Sequence, residues 1–159
     1  MALYLVQHGR SLPKDIDPDQ GLSEKGIAET ERIAGVAKGY GGPVSVIRHS
    51  GKKRARQTAE IFASALQPAG GVQETAGLKP LDDVAAMAEK TGSEEGVMLV
   101  GHLPCMERLA SHLIMGVAEK PVFKFQNSGI VCIEKDSAAG LKAITWALMP
   151  TVGRGNFSD

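Results

Sequence analysis

The stretch Met1-Ala-Leu-Tyr-Leu-Val-Gln7-His8-Gly9-Arg10-Ser11 decides the reading of this chain. A short apolar run ends abruptly in a histidine followed by glycine. This is the pattern of a buried strand that delivers an imidazole to the end of a sheet, and open α/β sheets bind ligands outside the carboxyl ends of their strands. Two further runs follow the same design. Val44-Ser-Val-Ile-Arg48-His49-Ser50-Gly51 leads into a basic segment ending at Arg56, and Val97-Met-Leu-Val-Gly101-His102-Leu103-Pro104 sets another histidine just past a strand. Three apolar runs, each ending in histidine, point to one shared site with an anion in it.

The chain has 159 residues, which favours a single domain over 1–152 with a flexible tail at 153–159. Lys plus Arg number 18 and Asp plus Glu number 18, so no bulk charge argues for nucleic acid or a membrane surface. Cys105 and Cys132 form no CxxC pair and fit a reducing compartment. No apolar stretch approaches the roughly 20 residues of a membrane helix. The N-terminus has neither the basic region nor the cleavage site of a signal peptide. A cytoplasmic protein is the resulting expectation.

Strand-like and helical patterns alternate, which predicts βαβ units: an α/β three-layer sandwich with a mostly parallel central sheet and helices on both faces. Strands are expected at 2–7, 44–49 and 96–101, with a short edge strand near 72–75. Helices are expected from Ser23, with Gly26, Ile33, Ala37 and Tyr40 on one face; from a cap at Ser50, with Ala55, Thr58, Ala59, Phe62 and Leu66 inward; over Leu81 to Lys90; and from near Leu103. Two strands near 129–134 and 141–147 read as an antiparallel hairpin.

Lys52, Lys53, Arg54 and Arg56 fall in the first turns of the second helix. A helix N-terminus prefers acidic side chains, so four cations there oppose the dipole. A phosphate would satisfy free N–H groups, dipole and guanidinium together, whereas a solvated basic face is the plainer alternative. His8 is placed to attack phosphorus as a neutral imidazole, and Gly9 leaves room for close backbone approach. His8 and His102 each also allow the ordinary reading of a satisfied polar residue. Their joint placement at neighbouring strand ends favours the shared anion.

These residues carry a resemblance to the histidine phosphatase superfamily, named for a strand-end Arg-His-Gly motif that stands here as Gln7-His8-Gly9. Leu22-Ser23-Glu24-Lys25-Gly26 is similar to the family's Leu-Thr-x-x-Gly helix start, and Arg54-Ala55-Arg56-Gln57-Thr58-Ala59 to its Arg-Ala-x-Gln-Thr-Ala segment. Gly101-His102 supplies the second histidine. The resemblance implies a phosphoglycerate mutase-like fold, with His8 as nucleophile, Arg54 clamping phosphoryl oxygens and His102 donating to them, without metal or organic cofactor. Gln7 departs from the pattern, since arginine is usual there and an amide gives no charge-assisted bond. Arg10, close by, is expected either to restore the missing charge or to point into solvent. His49, where serine is often found, lines the pocket or caps the helix.

Chain length leaves little room for a lid and resembles the compact SixA-type phosphohistidine phosphatases. This implies a phosphorylated histidine on a signalling protein as substrate, with inorganic phosphate as product. Protonated imidazole leaves more readily than an alkoxide, so the demand for an enzymic acid is small. Asp82 and Asp83 are candidate proton donors or simple partners of a helix dipole. A small phosphorylated substrate, or a module that binds a phosphorylated partner without turnover, are the rival functions. Asp15, Asp17 and Asp19 fail as a calcium loop, because Gln20 replaces the required glycine. Phe123 to Gly129 reads as the lead-in to a strand, with the alternative that its backbone N–H groups come near the phosphate.

Overall fold

A computed structural model describes residues 2–40, 42–135 and 142–151. The first apolar run becomes β1 (Ala2–Gln7), followed by α1 (Glu24–Tyr40), β2 (Val46–His49), α2 (Lys53–Leu66) and β3 (Val72–Glu74). The chain continues through α3 (Val84–Thr91), β4 (Val97–Gly101), α4 (Cys105–Met115), β5 (Ile130–Lys135) and β6 (Lys142–Leu148). The described strands form one sheet in the order β3-β2-β4-β1-β5-β6. β3, β2, β4 and β1 run parallel, while β5 and β6 are antiparallel additions with a register shift between Cys132 and Ile133.

Both faces of the sheet are covered, which is why β1 and β4 are apolar without alternation. On one face Leu5, Leu99 and Val131 pack against Met87 of α3 and Met106 and Leu109 of α4. On the other, Tyr4, Val6, Ile47 and Val100 meet Ile33 of α1 and Ala55, Ala59 and Phe62 of α2. The expected α/β three-layer sandwich is therefore the observed one. No described helix is long and apolar enough to cross a membrane. The expected tail at 153–159 lies outside the described residues.

Insertion of β4 between β1 and β2 is what builds the site. It aligns Gln7 with Gly101 and His49 with Val100, so three strand ends lie side by side. The loop after β1 is then pinned to α1. Ser23 Oγ accepts from Gly26 N, and the Ser23 N–H donates to Arg10 O. A Cβ on Gly26 would run into the Arg10 carbonyl, so only glycine lets the helix lie this close.

Two local expectations change. Tyr40 is not inward: it is largely exposed and leans on Trp146, ring centroids 5.1 Å apart. Ser50 is not the cap of α2, because the helix starts three residues later with Lys52 at the N-cap position and no side-chain cap. The hydroxyl of Ser50 faces another group, described below.

Candidate active site

His8 follows the last β1 residue, and its backbone is held from both sides. Its N–H donates to Gly101 O at 3.0 Å, and its carbonyl accepts from Asn127 Nδ2 at 2.9 Å and Ser128 N at 3.3 Å. The ring Nδ1 lies 2.7 Å from Gly9 O. A carbonyl can only accept, so Nδ1 carries the proton and Nε2 carries the lone pair. Arg54 Nε donates to that Nε2 at 3.3 Å. Burial pushes the His8 pKa down to about 4, the Gly9 carbonyl opposes this, and the Arg54 charge adds to the lowering. The imidazole is thus neutral at pH 7 with its free nitrogen beside a guanidinium.

The segment around Arg54 serves this geometry residue by residue. Arg54 sits in the first turn of α2 and is partly buried, which lowers its pKa without removing its charge. Ala55 and Ala59 are fully buried against the sheet. Thr58 Oγ1 donates to Arg54 O at 2.7 Å and accepts from Gly9 N at 2.9 Å. Gln57 Oε1 accepts from Leu22 N at 2.7 Å. Gly9 itself is enclosed: a Cβ there would meet Thr30 Oγ1 at 2.8 Å and Ser128 Oγ at 3.0 Å.

His102 follows β4, and its ring centroid lies 4.9 Å from that of His8. The residue is 2% exposed. Its Nε2 is 2.6 Å from Ser50 Oγ, and its Nδ1 is buried without a partner among the described residues. Burial first, then the positive fields of His8, Arg54 and Lys52, lowers its pKa to about 3. The structure therefore brings His8, Arg54 and His102 together, and places Ser50 against His102.

The remaining expected residues divide. Gln7 adjoins His8 in sequence, and its Oε1 is buried without a partner among the described residues. An amide turned over would present Nε2 there instead, as a donor. Arg10 pairs with α1 instead of standing free, its Nε donating to Glu29 Oε1 at 2.8 Å. His49 is buried, but its Nδ1 accepts from Gly51 N at 3.1 Å and its charged neighbours are Glu74, Arg56 and Glu60. It braces the turn after β2.

The four cations also separate. Lys53 Nζ pairs with Asp17 Oδ2 at 2.9 Å, holding that carboxyl down to about 2 together with the N–H groups of Gly21 and Asp19. Arg56 faces Glu60 one turn along, so Arg54 is the one that reaches His8. Asp83 caps α3 through Ala85 N and Ala86 N, whereas Asp82 accepts from Lys79 N. A groove of about 560 Å³ lined by Ser50, Glu74, Lys79 and Asp82 opens beside the site.

The bond from Asn127 Nδ2 to His8 O and the contact of Ser50 with His102 lie outside the expectations drawn from the sequence, which offers Asn127 to Gly129 only as a strand entry or as backbone donors near a phosphate. Asn127-Ser128-Gly129 has the composition of a turn, and Ser128 adopts a positive φ of 65°. Nothing in the sequence near it shows that this turn grips His8, 119 positions away.

Residues 3–83 match the family described as the histidine phosphatase superfamily (branch 1). A solved structure of the protein histidine phosphatase SixA complexed with tungstate is 26% identical, with TM-score 0.79, covering 94% of this chain and 97% of that one. A putative phosphohistidine phosphatase SixA from Agrobacterium tumefaciens is 24% identical, with TM-score 0.72 and coverage of 94% and 97%. A mycobacterial glucosyl-3-phosphoglycerate phosphatase complexed with VO3 shares the fold at 16% identity and TM-score 0.73, covering 93% of this chain and 99% of that one. No curated protein sequence matches the chain.

Proposed function

This chain belongs to the histidine phosphatase superfamily, and from that premise we propose that it removes phosphate from a histidine of a signalling protein through a phosphohistidine intermediate on His8. The observation that carries the proposal is the His8 ring, whose Nδ1 is tied to Gly9 O and whose Nε2 lone pair lies beside Arg54. In the first step Nε2 attacks phosphorus and the bond from phosphorus to the substrate imidazole breaks. The departing nitrogen takes the electron pair, and the proton already on the substrate ring leaves it neutral. In the second step water attacks phosphorus, the bond to Nε2 breaks, and orthophosphate departs with the oxygen of that water.

Arg54 would turn from His8 to the phosphoryl oxygens once phosphate arrives, because a charge-assisted bond is stronger than its present one to a neutral ring. His102 would donate to the same oxygens, and the Gln7 amide would add a neutral donor. Arg10 and His49 take no part in this scheme. Charge stabilisation comes from side chains, so the proposed reaction needs no metal and should survive chelation with EDTA. The groove beside Ser50 is large enough for a phosphohistidine side chain and a few flanking residues of the protein that carries it. The SixA relative at 26% identity supports the same substrate class.

Trapping tests the intermediate. Quenching the enzyme during turnover of a ³²P-phosphohistidine protein should leave acid-labile, alkali-stable label on the peptide that contains His8. Label elsewhere, or undiminished label in His8→Ala, would overturn the proposal. Gln7 favours one second reading, a module that holds phosphorylated partners without turnover, because its side chain brings no charge to the site.

A further inference from the structure

We infer that Ser50 is a positioning residue: its hydroxyl fixes His102 in the tautomer that carries its proton on Nδ1, and that N–H serves a phosphoryl oxygen. The inference rests on the reading of this site as phosphoryl-binding. Both partners are buried, at 5% and 2% exposure, and Ser50 Oγ lies 2.6 Å from His102 Nε2. The same oxygen accepts the Lys52 N–H at 3.3 Å. A hydroxyl has one proton to give. Were Nε2 the donor, the Ser50 proton and the Nδ1 lone pair would both lack partners among the described residues, whereas donation from Ser50 to Nε2 leaves only the Nδ1 hydrogen unpaired.

A neutral imidazole that accepts at Nε2 holds its proton at Nδ1. The chain from Lys52 N–H through Ser50 to His102 therefore has a defined direction and ends in a donor. That donor is buried and has no partner among the described residues. Buried polar groups in native folds are almost always paired, so an unpaired one calls for a reason. Its ring stands 4.9 Å from the ring of the nucleophile, and Arg54 contributes to the field on it. A fixed neutral donor beside a guanidinium is matched to an oxyanion and needs no change in protonation to act.

Ring ¹⁵N NMR of the whole protein tests this with inorganic phosphate as probe. In wild type, the His102 signals, assigned by their loss in His102→Gln, should show Nδ1 protonated and Nε2 bare. Added orthophosphate should shift the Nδ1–H signal. Ser50→Ala should mix the tautomers and weaken orthophosphate binding roughly three- to tenfold, and Ser50→Thr, which keeps the hydroxyl, should restore both. A proton on Nε2 in wild type would overturn the inference, as would Ser50→Ala with unchanged tautomer and unchanged affinity. The wild-type spectrum needs no variant to fold. Orthophosphate also keeps the result independent of whether phosphohistidine is the substrate.

Discussion

Arg54 donates its Nε hydrogen to His8 Nε2 at 3.3 Å, so without phosphate the guanidinium is bonded to the nitrogen that would attack phosphorus. The contact helps hold the His8 ring in place, and the Arg54 charge adds to the burial that keeps the ring neutral. In the proposed reaction the contact breaks when phosphate binds, which would make Arg54 both a brace and a clamp.

Arg54→Lys keeps a charge but loses the planar fork, and lysine cannot bond Nε2 and two phosphoryl oxygens in the same geometry. We expect kcat to fall by about 10²-fold or more, with the melting temperature little changed. Steady-state kinetics on any turned-over phosphodonor would check this, and a variant within a few-fold of wild type would remove Arg54 from the mechanism.

The depressed histidines set two acid limits. His8 is neutral above about pH 4, so kcat/KM should hold as pH falls from 7 and drop only through about 4. Stability behaves differently. The unfolded chain protonates these rings near 6.5 while the native state resists until about 4 for His8 and about 3 for His102. The unfolded state therefore binds more protons in that window, and stability declines as pH falls below 6.5. Urea midpoints between pH 7 and 4 should show the slope, and His102→Asn should flatten it.

Gln7 and Arg10 separate by measurement. Gln7→Arg should tighten orthophosphate about tenfold by adding a charge-assisted bond. Arg10→Ala should leave that affinity within about twofold and cost up to about 1 kcal/mol of stability through Glu29. Calorimetric titration and urea unfolding read the two effects apart. A large affinity loss in Arg10→Ala would return Arg10 to the phosphate site.

Thr58→Val tests the link between α2 and the strand end. It removes the acceptor of the Gly9 N–H, a buried group, and should cost about 1–3 kcal/mol. Activity should fall beyond what the unfolded fraction explains, because the same hydroxyl joins Gly9 to the Arg54 carbonyl. Activity per folded molecule equal to wild type would make Thr58 purely structural.

Much of this arrangement was legible in the sequence because strand ends announce themselves. The runs before His8 and His102 are apolar on both faces, and their burial in β1 and β4 follows from that. The Leu22-Ser23-x-x-Gly26 and Arg54-Ala55-x-Gln57-Thr58-Ala59 segments told where helices begin, and the structure adds that they interlock through Gln57 and Leu22. What the sequence hid was pairing. Nothing local says that Arg10 belongs to Glu29 or Lys53 to Asp17, so charges counted as a cluster dispersed, whereas Asp83 took the helix-terminus role that was one of its two readings. Ser50 was read as a cap because capping is what serine does before a helix. Its partner, His102, lies 52 positions away. The hold of Asn127 and Ser128 on the His8 carbonyl is hidden for the same reason.

The most direct test of the central claim is phosphate release from a phosphohistidine-bearing protein, beside a generic aryl phosphate, for wild type and His8→Ala. The account predicts turnover of the phosphohistidine protein, faster than of the aryl phosphate, and its disappearance in His8→Ala. Wild type that binds the phosphorylated protein without releasing phosphate from either donor would contradict it and make this a phospho-binding module. Preferred turnover of the aryl phosphate would contradict the substrate class, and turnover surviving in His8→Ala would contradict the nucleophile.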